Sequence, residues 1–183
     1  MCKKVITAAI LGGVTVFIWG MISWMVLPWH GPTFNQFSDE ITVSQTLNSN
    51  AGKSGIYLLP YESEFSIEAK EDFANKYKAG PLAFVAFSKA GGDPTMKSQL
   101  LMSFITQLVA ALIIAMLLSG ASGLSYGCRL FFVTGAGLLT GILGYIPNYV
   151  WWHFPLDYTL VGIADQIIAW FIAGLIMAKI IRS

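Results

Sequence analysis

The sequence predicts a membrane-embedded four-helix bundle with a small extracytoplasmic α+β domain inserted between the first and second helices. The chain has 183 residues, of which 55% are apolar and only 11% are charged. Soluble domains carry about 25% charged residues, so this composition is typical of an integral membrane protein. Four apolar stretches are each long enough to cross a hydrocarbon layer of about 30 Å. They are residues 5–27, 100–118, 130–150 and 158–181.

The first apolar stretch follows Lys3 and Lys4, as the core of a signal peptide would. It is longer than the usual signal core of about 7–15 residues, and it ends in Leu-Pro-Trp-His without a small-residue cleavage site. We therefore expect a retained helix. The domain organisation that follows is residues 1–27 for the N-terminus and first helix, 28–97 for the inserted domain, and 98–183 for the remaining helices.

The charges predict the orientation of the helices. The termini and the loop between the second and third helices carry only basic residues, whereas the acidic residues lie on the other side or within the last helix. Basic loops face the cytoplasm in bacterial inner membranes. We therefore expect cytoplasmic termini and a periplasmic segment 28–97. The basic residues on the inner side are Lys3, Lys4, Arg129, Lys179 and Arg182.

The inserted domain shows alternating helix and strand signals. Ser38 is the expected N-cap of a first helix, and Ser66 precedes a second helix over Ile67–Ala79 that Gly80 ends. Residues 56–59 and 82–87 are the expected strands. A strand, a helix and a strand in this order can form a right-handed parallel crossover. Such a small unit would be marginally stable alone.

Small residues predict close packing between the membrane helices. Gly137 and Gly141 form a GxxxG pair in the third helix, and small residues recur at helical spacing in the first and fourth. The short links place the second and third helices, and the third and fourth, side by side. A compact bundle is the simpler interpretation, and oligomerisation through the third helix is left open.

Asp165 is the most informative polar residue, because a carboxyl group in an apolar span is costly unless it is protonated, hydrated or paired. By depth, other polar residues belong to the same layer of the outer leaflet. Three roles remain open: a hydrogen-bonded anchor between helices, a protonatable group in a hydrated cavity, or a contact with another membrane protein. The candidate layer consists of Ser23, Gln107, Tyr145, Asp165 and Gln166.

A second candidate site lies at the outer membrane surface, where both histidines are flanked by tryptophan and proline. Its members are His30, His153, Asp157, Trp29, Trp151 and Trp152. Histidine and carboxylate side chains could hold a metal, but the spacing matches no ligand pattern, so we expect no metal and no cofactor. Nucleophile, phosphate-binding and metalloprotease motifs are absent, and Cys2 and Cys128 make no CxxC pair. We therefore do not expect the protein to be an enzyme.

One resemblance can be stated from longer segments. The run from Phe17 to Trp24, with its Trp-x(4)-Trp spacing, leads to Leu-Pro-Trp-His at 27–30. With the segments at 55–60 and 93–96, it resembles uncharacterised four-span bacterial inner-membrane proteins. The last helix is similar to theirs in Tyr158-Thr159-Leu160, in Asp165-Gln166 and in Trp170. The resemblance implies that the outer aromatic rim and the Asp-Gln pair belong to one design, and it implies no activity.

These observations favour a non-enzymatic accessory subunit that uses its periplasmic domain and outer aromatic rim to bind a partner. The alternative is a small oligomeric transporter or ligand-binding protein in which Asp165 is the protonatable site. The expected partners are the lipid bilayer and either another membrane protein or further copies of this chain. Near-neutral net charge, +1, argues against nucleic acid.

Overall fold

The structure is a computed structural model that describes residues 2–62, 67–121 and 123–182. Its chain divides into two units, a helical unit of residues 1–34 and 95–183 and an outer unit of residues 35–94. Residues 28–34 therefore belong with the helices, although the sequence placed them in the inserted domain. The helical unit contains α1 (Cys2–Met25), α4 (Lys97–Gly120), α5 (Tyr126–Trp152) and α6 (Leu156–Ile180). The outer unit contains α2 (Glu40–Asn50), β1 (Gly55–Leu59), α3 (Ile67–Ala79) and β2 (Ala83–Phe87).

The four helices of the helical unit are all long and apolar enough to span a membrane. Together with the inserted α+β unit, they confirm the predicted fold class. Helix α5 begins after Ser125, whose hydroxyl accepts a hydrogen bond from the amide of Cys128 at 3.2 Å. Helix α6 begins after Pro155, which cannot continue α5 and so separates the two helices.

The helices pack in the order α5, α6, α1, α4, whereas α4 meets α5 at only a few residues. The sequence predicted α4 and α5 as packed neighbours because their link is short. An apolar groove of about 670 Å³ lies along them instead. The reason is that α5 turns its closest-packing glycines toward α6. The groove is lined by Ile114, Leu117, Leu124, Gly127, Cys128, Phe131, Phe132, Gly135, Ala136 and Leu139.

The predicted GxxxG pair forms the contact between α5 and α6. A Cβ atom on Gly137 would lie 2.6 Å from the Trp170 Cβ, and one on Gly141 would lie 3.1 Å from the Ile163 Cα. Only glycine permits so close an approach. The pair is therefore used within the chain, and it offers no support for oligomerisation. The core around it includes Ala8, Leu118, Val133, Ala173 and Met177, all fully or almost fully buried.

The first helix of the outer unit begins one residue later than expected. Asp39, not Ser38, is the N-cap, and its Oδ1 accepts a hydrogen bond from the Thr42 amide at 3.0 Å. This hydrogen bond, with a second from the Thr42 hydroxyl, holds the pKa of Asp39 below its ordinary value. Because a carboxylate is a better acceptor than a hydroxyl, Asp39 satisfies the helix terminus better than Ser38 would.

The two strands pair antiparallel, so the expectation of a parallel crossover is wrong. Gly55 lies opposite Phe87, and Leu59 lies opposite Ala83. The connection between the strands brings the chain back to the sheet end that it left, and an antiparallel ladder is slightly more stable per residue. Strand propensity gives no direction, which is why the sequence could not decide between the two pairings.

Helix α3 agrees with the sequence where it can be compared. It ends at Ala79, and Gly80 follows with φ +66°, the left-handed conformation in which glycine commonly ends a helix. The rings of Phe73 and Tyr77 lie 5.7 Å apart on one face of this helix. The predicted N-cap, Ser66, lies outside the described residues.

Candidate functional site

The site is built around Asp165, the tenth residue of α6 and about 13 Å along the helix from its start. The residue is only 5% exposed. Its Oδ1 accepts a hydrogen bond from the indole Nε1 of Trp19 in α1, with 2.6 Å between the atoms. Its Oδ2 lies 3.7 Å from the Nε2 of His30. The acid therefore joins α6 both to α1 and to the segment that follows α1.

The segment after α1 brings His30 to Asp165, and we call residues 26–34 the return segment. The amides of Val26 and Leu27 both bond to the carbonyl of Ile22, which ends the helix. A short 3₁₀ turn follows at Gly31–Thr33. The Thr33 hydroxyl donates to the His30 carbonyl at 2.7 Å, and both residues are buried. Local hydrogen bonds thus hold the imidazole inside the helical unit.

Ser23 connects the return segment to α1. Its Oγ lies 3.0 Å from the His30 Nε2 and also accepts a hydrogen bond from the Trp29 indole at 3.0 Å. Ser23 is fully buried. Since Trp19 and Ser23 are four residues apart, they lie on one face of α1 and reach the same point from adjacent turns.

Aromatic rings enclose this group. The Trp24 indole stacks on the His30 imidazole with 3.9 Å between the ring centres and 9° between the planes. Trp29 meets the same imidazole edge to face, with centres 5.6 Å apart. Phe34 then packs against Tyr158 of α6. We call Trp19, Ser23, Trp29, His30 and Asp165 the buried polar cluster, with Trp24 as its stacked wall.

The buried polar cluster contains serine, histidine and aspartate, but it is not arranged as a catalytic triad. In a triad the serine and the aspartate contact opposite nitrogens of the imidazole, so that the aspartate fixes the tautomer that activates the serine. Here Ser23 and Asp165 both approach Nε2. The Ser23 hydroxyl is also fully buried. The arrangement can hold two helices and the return segment together, and it can hold a charge.

The structure joins only part of the layer predicted from the sequence. Ser23 and Asp165 meet through His30. Tyr145 is half-buried in α5, and its ring lies so close to Gly162 that a Cβ there would be 2.1 Å away. Gln107 and Gln166 instead place their backbone carbonyls against Gly13 and Gly137, respectively.

The predicted outer-rim site divides between two environments. His30 and Trp29 join the buried polar cluster, whereas His153, in the left-handed conformation at the end of α5, is exposed. Asp157 is exposed and accepts a hydrogen bond from the Tyr158 amide. Among the described residues, no three histidine, cysteine or acidic side chains lie together as metal ligands would. The remaining rim residues, Trp151 and Trp152, are 72% and 40% exposed.

Sequence reasoning missed the partners of Asp165. It treated His30 as an interfacial residue, and it gave Trp19 and Trp24 no role at the site. One usable signal was the spacing of Trp19 and Ser23 on one helix face. A second was the position of His30 seven residues after Ser23, from which the imidazole can reach the Ser23 hydroxyl once the chain turns back. No protein family, curated protein or solved structure matches the chain.

Proposed function

We propose that this integral membrane protein is a non-enzymatic subunit that binds another protein through its outer unit. The observation that carries the proposal is how little apolar surface is fully buried in the described part of that unit. Among the described residues of 35–94, Ala51 is the only buried apolar residue. Several large apolar side chains are instead more than half exposed, namely Phe37, Ile41, Ile56, Leu59, Tyr61 and Ile67.

Energetics support a missing partner. Burial of apolar surface stabilises a protein or a complex by about 25 cal/mol for each Å² removed from water. The exposed apolar side chains of the outer unit would contribute in this way once a partner covered them. An isolated two-stranded sheet is marginal in water, and three strands or a packed helix are normally needed. A partner protein that covers Ile56 and Leu59, on opposite faces of the sheet, would supply the burial that the unit lacks.

The sheet also supports one mode of contact. Its described strands number two, so β1 and β2 each have one edge outside the ladder. An extended segment of a partner can add to such an edge through backbone hydrogen bonds while its side chains contact the exposed apolar residues. We therefore infer an extended, apolar partner segment in preference to a charged one.

The orientation expected from charge gives the partner its compartment, and we propose a bacterial inner membrane with a periplasmic outer unit. Lys4 donates to the carbonyl of Arg182 across 3.4 Å, so the start of α1 and the end of α6 lie together, and both carry basic residues. The rule that basic ends face the cytoplasm then supports a periplasmic outer unit. The substitution Lys70→Cys tests this orientation, through the extent to which a thiol reagent labels the new cysteine in intact cells and in broken cells.

Site-specific photocrosslinking in native membranes tests the partner. A photoreactive amino acid at Ile56 or Leu59 should give one adduct of defined mass, because those side chains would lie in the interface. The matched control is Lys70, which is exposed on α3. The same probe there should give no adduct, or a much weaker one.

Two results would contradict the proposal. One is the absence of any adduct at both sheet positions when the protein is produced at its natural level. The other is an identical series of adducts at Ile56, Leu59 and Lys70, which would indicate random collision instead of a binding surface. A specific adduct at Leu59 should also weaken on substitution Ile56→Asp, since a buried charge in the interface is costly.

A further inference from the structure

We propose that the buried polar cluster is a binding site for an organic cation, and that the protonated imidazole of His30 occupies it as a ligand tethered by the return segment. The proposal concerns the helical unit and goes beyond partner binding by the outer unit. It rests on the hydrogen-bond geometry at His30 and Asp165, and on the aromatic rings around them.

The first step is the position of the hydrogen on His30. Its Nε2 lies 3.0 Å from the Ser23 Oγ and 3.7 Å from the Asp165 Oδ2. A bare Nε2 would direct its lone pair toward a carboxyl oxygen, which repels it. An Nε2 that carries hydrogen is attracted to both oxygens, and Ser23 has lone pairs enough to accept from Trp29 as well. The Ser23–His30 distance alone fits either direction of the hydrogen bond, and we assign the hydrogen to Nε2 because it then faces both the Ser23 and the Asp165 oxygens.

The second step is the charge on Asp165. Its Oδ1 accepts from an indole N–H, which can only donate. A protonated Oδ2 would need an acceptor, yet its nearest polar neighbour is the His30 Nε2 at 3.7 Å, too far for a hydrogen bond and already a donor. The ionised carboxylate fits both contacts. A protonated carboxyl would leave its hydrogen without an acceptor.

The third step is charge balance. A carboxylate that is 5% exposed within a membrane helix is costly, and a cation beside it lowers that cost. In the described chain, His30 is the ion-pair partner of Asp165. The titratable group that faces the acid from another element is Tyr145 of α5, whose ring lies 5.9 Å from that of Tyr158 in α6, and neither tyrosine can become positive. We therefore assign the positive charge of the proposed pair to the imidazole.

The fourth step is the aromatic enclosure. Trp24 lies parallel to the imidazole at 3.9 Å, and indole is the aromatic ring that attracts cations most strongly. Trp29 adds an edge at 5.6 Å. Aromatic cages are a common way in which proteins recognise organic cations. The site thus selects a planar imidazolium or a small ammonium ion with at least one N–H for Asp165 and Ser23.

Chemical rescue tests the site directly. We call the space between Trp24, Trp29 and Asp165 the cage. Substitution His30→Ala should empty the cage, and imidazole added to the variant in lipid nanodiscs should refill it. Denaturation midpoint and tryptophan fluorescence report binding, since Trp24 would stack on the added ring. We expect imidazole to restore a substantial part of the lost stability. In the double variant His30→Ala with Asp165→Asn, the affinity for imidazole should fall by a factor of about ten or more.

Toluene is the control ligand, because it has a similar shape but neither charge nor N–H. Equal rescue by toluene and imidazole would overturn the proposal and make the cage a simple apolar cavity. Rescue that is unchanged by Asp165→Asn would overturn it too, as would a folded His30→Ala variant that imidazole does not affect. Rescue by imidazole alone, and only with Asp165 present, supports it.

A measurement on the folded parent protein covers the case in which His30→Ala fails to fold. The chain has two histidines, so His153→Asn leaves His30 as the only one. Asparagine tolerates the left-handed backbone at this position, where φ is +57°. Nitrogen-15 spectra should show both ring nitrogens protonated at neutral pH. One bare nitrogen would overturn the proposal, whereas loss of the imidazolium signal on Asp165→Asn supports it.

Discussion

The helical unit and the outer unit expose similar apolar residues, yet the exposure has opposite meanings. Leu117 on α4 is 59% exposed, and Leu59 on β1 is 55% exposed. Around a membrane helix the medium is hydrocarbon, so Leu117 loses nothing by facing outward. Around the outer unit the medium is water, and Leu59 remains an unfavourable contact until something covers it. Exposure alone therefore identifies a binding surface only where the surrounding medium is aqueous.

The two units also differ in how deeply they bury an acidic side chain. Removal of that side chain should give the largest difference in stability between them. Asp165 pairs with His30 in the interior, and its side chain is 7% exposed. Asp72 pairs with Lys76 on the surface of α3, and its side chain is 62% exposed. Substitution Asp165→Ala should destabilise the helical unit by about 3–5 kcal/mol, because it removes the buried partner of His30 and leaves the Trp19 N–H unpaired.

Substitution Asp72→Ala is the matched control, with an expected loss of about 0.3–0.5 kcal/mol. Reversible unfolding in mixed micelles measures the first variant, and hydrogen exchange of α3 measures the second. Equal effects of the two substitutions would remove the distinction between the units. A loss below about 1 kcal/mol for Asp165→Ala would show that water reaches the cluster.

Truncation of one leucine in each unit gives the next effect. Leu118 is 1% exposed in the core of the helical unit. Substitution Leu118→Ala should cost about 2–5 kcal/mol through lost burial and the cavity that remains. Leu59→Ala should change stability by less than about 0.5 kcal/mol in the isolated protein. A much larger loss at Leu59, in protein purified without any partner, would mean that the outer unit has a core of its own.

The helical unit was largely predictable from sequence because its signals are long. Apolar runs of membrane length leave little freedom in helix number, and the ends of the helices differ from the predicted ends by only a few residues. The contact between α5 and α6 was also predictable, since the glycines that form it recur at helical spacing. The loose meeting of α4 and α5 was not, because a short link constrains helix ends without determining which faces pack.

The buried polar cluster shows where prediction from sequence stops. Asp165 was recognised from its cost in the membrane, whereas its partners were not, since Trp19 and His30 are distant in the chain. The return segment brings His30 to the cluster by turning at residues 26–29, directly after α1, and a sequence pattern does not encode the direction of that turn. The strand direction in the outer unit failed for a similar reason: local propensity does not determine pairing.

Two glycines in α5 separate packing against a neighbour from intrinsic helix preference. Substitution Gly137→Ala should destabilise the protein by about 1–3 kcal/mol, because the new Cβ would lie 2.6 Å from the Trp170 Cβ and 2.8 Å from the Gln166 carbonyl oxygen. Gly144 has no neighbouring atom within 4 Å of the same position. Gly144→Ala should therefore be neutral or slightly stabilising, as alanine favours helices. Unfolding in mixed micelles compares the two, and equal losses would indicate that α5 and α6 are not in close contact.

The smallest effect concerns the pH dependence of α2 in the outer unit. The Thr42 amide and hydroxyl hold the pKa of Asp39 below its ordinary value, so the folded helix favours the carboxylate. A lowered pKa in the folded state means that this stabilisation is fully present above the ordinary pKa and is lost as the pH falls through the lowered one. The Thr42 amide resonance and amide exchange in α2 should follow that titration. Asp39→Asn keeps a capping oxygen and should abolish the pH dependence while retaining most of the helix, whereas Ser38→Ala should change neither. A titration that disappears in Ser38→Ala and survives in Asp39→Asn would return the cap to the residue that the sequence first suggested, and with it the start of the helix.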